Sequence, residues 1–415
     1  MLGNRHQSKA YYRFINNDKV KSADLVSLFG SYSSHCMSDS SVILALQDTT
    51  ELDYTGNRSS NQVGCMEYAK RKGLYLHTQL LVDGRGLAQG ILSQSFISRS
   101  EESLGKGNSR KYAKVEDKES YRWVESFALL QEEFAEQKEK TVYSICDREG
   151  DMSELLLARK HAHVHYIIRS KNNRKSPDKA HNLIEAVGNQ AIAFTYTQTV
   201  VSKEGSKREA ILSVRYSPFI CNAPYRKETK LSPIPLWVVE TKEENPPAGE
   251  EEICWRLLCS QEINNAEDAK KMIAYYCLRW LIERFHYVLK QARKVEDLQI
   301  SSVEALKNAI VLQSWLACKI LTLCYQARTE GDIELEKTQF EVQDYEIAYQ
   351  YVTKVKKNKV VKQEKPTLLE FSRLIAILGG SSLQKNRPIG VVALWRGYQI
   401  FENLKQGYLL AITCG

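Results

Sequence analysis

The segment AYYCLRWLIERFHYVLK, residues 274–290, places one carboxylate among basic and aromatic side chains. It is rich in Leu, Arg, Lys and Glu and contains neither Gly nor Pro, which predicts a helix. With about 100° between successive residues, five side chains fall within roughly 80° of one another: Tyr276, Arg279, Glu283, Tyr287 and Lys290. A face that combines a lone acid with bases and tyrosines suits a phosphate-binding surface with a metal ligand at its centre.

Two further carboxylates follow apolar segments that predict buried strands. Asp48 ends the segment SVILALQD, and Asp147 ends the segment TVYSICD. Ligands of α/β sheets bind at the carboxyl ends of strands. Two strand-end aspartates and one helical glutamate can hold two Mg²⁺ ions, with substrate phosphates and water as the other ligands. Two ions about 4 Å apart can activate water and stabilise the leaving oxygen of a phosphodiester. The three carboxylates therefore predict phosphoryl transfer on a nucleic acid.

Each of these carboxylates also has an ordinary structural interpretation. An aspartate at the end of a strand often caps a turn. A glutamate close to Arg and Lys on a helix often forms a surface ion pair. Spacing and chemistry alone thus leave the hypothesis at a metal-dependent nuclease.

The remaining sequence predicts an α/β core that is interrupted by a β-rich insertion. Residues 74–98 predict a hairpin that turns at Asp83-Gly84, residues 115–138 predict a helix, and the Lys-rich residues 353–365 predict a linker. The predicted domains are a short helical N-terminal part (1–40), a catalytic core in two pieces (41–171 and 259–335), a β-rich insertion (172–258) and a helical C-terminal region (336–415).

Composition is that of a soluble globular protein, with 43% hydrophobic and 26% charged residues. No apolar run reaches the roughly 20 residues that span a bilayer, and the N-terminus lacks a secretory signal. We therefore expect cytoplasmic residence and no membrane partner. The ten cysteines form no CxxC pair, which argues against a zinc cage and a disulfide framework. The net charge of +8 permits an anionic partner.

Tyr276, Arg279, Glu283 and Lys290 fit the pattern Y-(2)-R-(3)-E-(6)-K. This pattern resembles the YREK motif of the DDE transposases of the IS-four group, which has a Tn-five branch. Further segments resemble the same family in the same order along nearly the whole chain: LALQDTTELDYTG (44–56), KESYRW (118–123), CDREGDM (146–152, a DRExD pattern), YIIRSK (166–171), ICWRLLCS (253–260) and ALWRGYQIF (393–401).

The resemblance implies an RNase H-like catalytic core in an α/β fold, with the β-rich insertion between the second Asp and the Glu. Asp48, Asp147 and Glu283 would be the DDE triad, at once catalytic residues and metal ligands. The cofactor would be Mg²⁺, two ions per site, with Mn²⁺ as a substitute. The family reaction is metal-dependent excision of an insertion sequence by strand cleavage, with a hairpin step in the Tn-five branch. Strand transfer into target DNA follows.

The resemblance also implies a set of DNA contacts. Arg279 and Lys290 would clamp phosphates beside the scissile bond, and Tyr276 would donate a hydrogen bond to a phosphate. Trp255 would stack on a base that is flipped out of the duplex. A buried aromatic in a strand is the alternative for Trp255. Three further residues match family positions near the DNA: Arg148, Arg169 and Lys171. For Arg148 the alternative is that it is a simple charge partner of the neighbouring Asp.

This sequence departs from the family pattern at two places. Tyr287 stands where the Tn-five branch has a Lys. The segment SKAYYRFINND, residues 8–18, resembles a segment well inside other members, so the preceding part that recognises transposon ends is expected to be missing.

Three hypotheses follow for the function. The first is an active bacterial transposase associated with the nucleoid, whose partners are double-stranded DNA (transposon ends and target) and a second copy of the chain. The C-terminal region would supply the dimer contact, unless its apolar residues pack in the core. The second is an N-terminally truncated regulator that pairs with full-length transposase without transposing. The third, an RNase H-like nuclease with no role in transposition, is disfavoured by the YREK motif and Trp255.

Overall fold

A computed structural model of the chain describes residues 5–104, 114–178, 181–201, 205–224, 231–382 and 388–414. The described residues form a mixed α/β structure around one ten-stranded sheet. Its strands are β1 (Val42–Asp53), β2 (Gly64–Cys65), β3 (Lys72–Asp83), β4 (Ala88–Ile97), β5 (Thr141–Cys146), β6 (Val164–Arg169), β7 (Phe194–Val201), β8 (Lys207–Cys221), β9 (Ile234–Glu243) and β10 (Cys254–Cys259).

Helices cover both faces of this sheet. They are α1 (Arg5–Ile15), α2 (Ser22–His35), α3 (Arg122–Glu133), α4 (Ser153–Leu157), α5 (Leu183–Gly188), α6 (Ala266–Cys277), α7 (Trp280–Tyr287), α8 (Val303–Thr329), α9 (Val342–Gln350), α10 (Leu368–Leu378) and α11 (Val391–Cys414).

The strand order is β2-β3-β1-β5-β6-β10-β9-β8-β7, and β4 pairs with the long β3 beside β2. β5 runs parallel to β1 and β6, whereas β3 is antiparallel to β1 and to β4. The predicted insertion contains the expected four strands, β7 to β10, and β10 joins them to the edge of β6 in antiparallel pairing. The insertion thus extends the sheet of the core, and the predicted boundary at 258/259 falls inside β10.

Alternating side chains of the central strands enter two different cores. On β1, Leu44 and Leu46 pack on one face with α6, α7 and α8, whereas Ile43 and Ala45 pack on the other face with α3 and α4. Because both faces are buried, the strand reads as a continuous apolar run. Side-chain parity therefore decides which helices a given strand residue faces.

Three local predictions need correction. β1 does not stop at Asp48 but continues to Asp53, because β3 pairs with it along the whole distance. The helix predicted over 115–138 is shorter, since two 3₁₀ turns precede α3. The segment 274–290 is not one helix but α6, α7 and a π-helical turn, Val288–Ala292, that follows them.

The helical C-terminal region packs within the chain. The rings of Phe371 on α10 and Phe401 on α11 meet edge to face with centroids 5.4 Å apart. Leu374 and Trp395, two apolar residues of the region expected to supply the dimer contact, are also buried in the chain. Their apolar surface is therefore used in the core, which is the alternative stated for this region.

α8 is the described helix that is long and apolar enough to cross a membrane by length and composition. However, 61% of its most apolar window is buried inside the protein, as is usual for the core helix of a globular protein.

Candidate active site

The register of β1 and β5 brings Asp48 and Asp147 side by side. Leu46 pairs with Ile145 in the parallel ladder, and each aspartate lies two residues beyond this pair. Neighbouring strands are about 4.8 Å apart. Leu46 and Ile145 both belong to the core beneath α7, so the aspartates, two residues further on, face the same way. Asp48 lies inside β1, which continues past the last residue of β5, so β5 no longer pairs with β1 at this level.

α7 brings the third carboxylate to this place. Arg279, the residue before α7, donates from Nη2 to Oε1 of Glu283 at 2.5 Å, and its Nη1 lies 3.9 Å from Oδ2 of Asp48. His286, one turn after Glu283, has its Nδ1 3.9 Å from the same Oδ2. A single guanidinium thus lies between Asp48 and Glu283.

The electrostatics of Asp48 reflect this crowding. Burial raises its pKa to about 7; the nearby charges of Asp147 and Glu283 also raise the pKa, while the Thr49 N–H and Arg279 lower it. Burial lowers the pKa of His286 to about 3. The imidazole is therefore neutral at pH 7, and its contact with Asp48 is not an ion pair.

These three residues fit a hard divalent cation by donor type, because carboxylate oxygens are the ligands that Mg²⁺ prefers. The charges of Asp147 and Glu283 raise the pKa of Asp48, and a bound cation would offset this repulsion. Within the described residues, however, no three His, Cys, Asp or Glu side chains converge on one metal position. Oε1 of Glu283 accepts a hydrogen bond from Arg279, so Arg279 competes with a metal for that oxygen.

A basic cavity of about 280 Å³ lies next to the carboxylates. Arg148, the residue after Asp147, lines it together with Arg169, Lys171, Arg256 and Trp255. The Arg169 Nε is buried and forms no hydrogen bond to any described residue, whereas Arg256 is paired with Glu240 at 2.6 Å. The cavity therefore offers an aromatic ring and unpaired positive charge in one place.

Tyr276 connects the cavity to the carboxylates. It is buried, and its ring packs against that of Trp255 with centroids 5.5 Å apart. The Arg279 guanidinium lies 6.0 Å from the centroid of the same tyrosine ring. Burial raises the pKa of Tyr276, so its hydroxyl stays protonated at pH 7.

Asp151 fixes the loop that forms one wall of the cavity. Its fully buried carboxylate accepts hydrogen bonds from the backbone N–H groups of Lys171 and Asn172 at 2.6 and 2.8 Å. Arg174 donates to the same carboxylate from Nε and Nη2 at 3.0 and 2.5 Å. The loop after β6 is thus tied to the turn that carries Arg148.

Two residues of the predicted motif face lie elsewhere. The Lys290 ammonium, in the π-helical turn, is 3.7 Å from Oε1 of Glu296. Tyr287 is exposed at the end of α7. A wheel drawn through one straight helix does not apply here, because hydrogen bonds from i to i+3 tighten the chain around Arg279 between α6 and α7.

Sequence reasoning gave no role to two residues that the structure brings into the site. His286 lies one turn beyond Glu283, and this spacing is a signal that it shares a face with the motif. Asp151 closes the DRExD pattern, so the pattern itself pointed to it, but its bond to Arg174 depends on tertiary structure.

The geometry can be compared with known proteins. Over 72% of this chain and 51% of the other, the fold is similar to a chain in a cryo-EM structure of the piggyBac transposase synaptic complex with hairpin DNA, at 10% identity and a TM-score of 0.35. This chain thus spans about half the length of that protein. The sequence matches the family described as "Transposase DDE domain" over residues 69–318, a span that contains Asp147 and Glu283. The chain therefore belongs to the family of transposases with a DDE domain.

Proposed function

We propose that this protein is the DNA transposase of a bacterial insertion sequence of the IS-four group, and that it excises its element and transfers the strands into target DNA. The observation that carries this proposal is the position of Arg279 between Asp48 and Glu283, with Asp147 close enough that its charge raises the pKa of Asp48. Membership of the DDE family supports it, as does the YREK pattern.

An RNase H-like core is part of the proposal. The strand order β4-β3-β1-β5-β6 supports it, because three antiparallel strands are followed by two that run parallel to β1. Asp48, on β1, and Asp147, directly after β5, lie at the centre of this order.

We assign Asp48, Asp147 and Glu283 as the ligands of two Mg²⁺ ions, for which Mn²⁺ can substitute. DDE transposases generally use divalent metal ions. Bound there, the metal would polarise the scissile phosphate and stabilise both the attacking and leaving oxygens. The role of Arg279 follows from its position: it holds Glu283 until a phosphate competes for the guanidinium, which can bind a phosphate with two hydrogen bonds.

The basic cavity is assigned to the DNA end. An indole face suits stacking of a flipped base, which contributes about 1–3 kcal/mol. Tyr276 would support Trp255 from behind. Arg169, with a buried Nε free of described partners, would bind a phosphate, as would Arg148 and Lys171. Lys290 would join them only by leaving Glu296.

The remaining parts of the proposal follow from the reaction. Two ends must be cut together, so the working form would be a homodimer on DNA, in the bacterial cytoplasm at the nucleoid. A hairpin intermediate would place the flipped base against Trp255.

The proposal is tested by incubating the protein with Mg²⁺ and a DNA fragment that carries the gene and its flanking element ends. We expect cuts at the element boundaries. Asp48→Asn, Asp147→Asn and Glu283→Gln should each slow cutting by at least about a hundredfold, because loss of a metal ligand removes several kcal/mol of transition-state stabilisation.

The matched control is Asp53→Asn. Asp53 is a carboxylate on the same strand as Asp48 but is paired with Arg71 at 2.9 Å, so this variant should cut like the wild type. Equal loss of cutting in Asp53→Asn would contradict the assignment of the triad. Tight binding of element ends without any cutting would contradict the enzyme and favour the non-transposing regulator.

A further inference from the structure

Behind the carboxylates, on the opposite face of the sheet, lies a chain of buried polar side chains. Gln47 and Thr49 flank Asp48 on β1, and strand alternation turns them towards α3. The Arg122 Nε lies 2.9 Å from the Thr49 Oγ1, which lies 2.9 Å from Nδ1 of His77. The His77 Nε2 lies 3.2 Å from the Gln47 Oε1, and the Gln47 Nε2 lies 2.7 Å from the Ser144 Oγ.

Arg122 and the Gln47 amide oxygen fix the directions of the hydrogen bonds in this polar chain from its two sides. A guanidinium can only donate, so the Thr49 hydroxyl accepts from Arg122 and can turn its own hydrogen towards Nδ1 of His77. The amide oxygen of Gln47 can only accept from Nε2. The His77 ring must then carry its proton on Nε2, which donates to Gln47. The amide of Gln47 is thereby oriented so that its nitrogen donates to Ser144. Burial lowers the pKa of His77 well below its usual value, in agreement with a neutral ring.

The series of hydrogen-bonded polar side chains is anchored at both ends near the second aspartate, Asp147. Besides Thr49, Arg122 donates from Nη2 to Oε2 of Glu149 at 2.7 Å, two residues after Asp147. At the other end, Ser144 lies three residues before Asp147 on β5. Arg122 also donates to the carbonyl of Glu119 at 2.7 Å, which fixes the start of α3. The polar chain therefore ties β1 to β5 on both sides of the two aspartates.

We propose that Arg122 is a positioning residue that holds Asp48 and Asp147 in register for the metal by donating to Thr49 and Glu149 and so fixing the hydrogen-bond direction at the Thr49 end of the polar chain. The inference rests on the proposed function, since it assigns Arg122 a role in that reaction. Arg122 touches neither aspartate and is not itself a catalytic residue. Its effect passes through Thr49, the residue after Asp48, and through Glu149, two residues after Asp147. Residues that orient metal ligands typically change metal affinity by about 10–100-fold.

The first test reads the His77 ring by ¹⁵N NMR of metal-free protein labelled at histidine, with His77→Gln to assign the signal. We expect the Nε2–H tautomer in the wild type. Arg122→Met keeps an unbranched apolar stem but removes the guanidinium donors, so the signal should move towards a mixture of tautomers. Thr49→Val interrupts the next link with little change in shape, and it should have the same effect if Arg122→Met does not fold.

The second test measures Mn²⁺ affinity of the metal-free protein by electron paramagnetic resonance. Arg122→Met should raise the Kd by about tenfold, and Arg122→Lys, which can reach fewer of the three acceptors, should lie between. The matched control is Arg99→Met. Arg99 donates to Glu119 at 2.7 and 2.6 Å and to Tyr75 at 2.7 Å, in the same region but outside the chain. This variant should leave the Kd and the tautomer unchanged.

The positioning role is overturned if Arg122→Met keeps the wild-type tautomer and Kd while its melting temperature falls as in Arg99→Met. Failure of the proposed function has a different signature: Asp48→Asn would then bind Mn²⁺ as tightly as the wild type. In that case there is no metal site for Arg122 to position, and the proposed role of Arg122 is wrong for either tautomer of His77.

Discussion

At the scale of the residue, Asp48 lies in surroundings that disfavour its ionised form. Its side chain is 19% exposed and lies among other carboxylates. An aspartate is most stable where it is solvated or fully paired, but the Arg279 guanidinium that could neutralise it is bonded to Glu283. Ionising Asp48 in the folded protein therefore costs folding free energy, and the proposed metal would offset that cost.

This cost has a pH dependence with a definite sign. The pKa of Asp48 is raised from 3.8 to about 7 in the folded protein, so between these values the folded chain binds more protons than the unfolded chain. The free energy of unfolding therefore falls as pH rises through this window. In Asp48→Asn the position no longer titrates. Measured by urea denaturation in metal-free buffer, the stability of Asp48→Asn relative to wild type should rise by about 2–4 kcal/mol from pH 4 to pH 8.

The control for this prediction is Asp18→Asn, at an exposed position between α1 and α2. Its stability relative to wild type should stay level over the same range. A level difference for Asp48→Asn as well would mean that Asp48 ionises in the folded protein as it does in water.

At the scale of the element, the loop after β6 depends on one buried carboxylate. Asp151 joins this loop, which contributes Lys171 to the basic cavity, to the turn that contributes Arg148. A loop held by its backbone N–H groups presents side chains in a fixed arrangement, which reduces the entropy lost on binding.

We predict that Asp151→Asn lowers the free energy of unfolding by about 3 kcal/mol, because it leaves the Arg174 guanidinium without its charge partner in a buried place. We also predict about tenfold weaker binding of a DNA end, equivalent to about 1.4 kcal/mol. Denaturation and fluorescence anisotropy would measure the two effects.

Glu243→Gln is the matched variant, since Glu243 is likewise a buried carboxylate paired with an arginine, Arg208, at 2.5 Å. It lies on β9 outside the cavity lining. A smaller loss of stability with unchanged DNA binding is expected, because Arg208 keeps Glu250 as a second charge partner at 2.6 Å. If both variants weaken DNA binding equally, Asp151 acts through general stability alone.

At the scale of the whole molecule, one continuous sheet sets the distance between the three carboxylates and the basic cavity. β10, which carries Trp255, pairs with β6, and β6 pairs with β5, which leads to Asp147. The cavity and the carboxylates are therefore parts of one rigid surface. The net charge of +8 is modest, so we expect the grip on DNA to come from local charge in the cavity.

The salt dependence of binding tests this distribution. If Arg148 and Lys171 each neutralise a phosphate, then Arg148→Met and Lys171→Met should each reduce the slope of log K against log salt concentration by about 0.9. Lys337→Met, which removes the same charge from the helical C-terminal region, should leave the slope unchanged. Equal slopes in all three variants would place the phosphates elsewhere.

Much of this architecture was predictable from local pattern. The apolar runs predicted β1 and β5, the turn at Asp83-Gly84 predicted the hairpin, and each depends on interactions within a short stretch of chain. The types and order of the three carboxylates led to the predicted metal chemistry, which stays a prediction. The strands of the insertion were predicted for the same reason, because alternation and β-branched residues act locally.

Tertiary structure alone decided how these parts meet. β1 continues past Asp48 because a distant strand pairs with it. In the segment 274–290, two turn residues at 278–279 separate α6 from α7, and Tyr276 packs on Trp255. The partners of Arg279, Asp151 and Arg122 follow from packing of elements far apart in the chain. The sequence by itself determined which side chains are present and in what order, since local propensity and side-chain chemistry are properties of the residue. Which of them touch depends on the register of the sheet and on the buried partners that satisfy each charge, and these exist only in the folded chain.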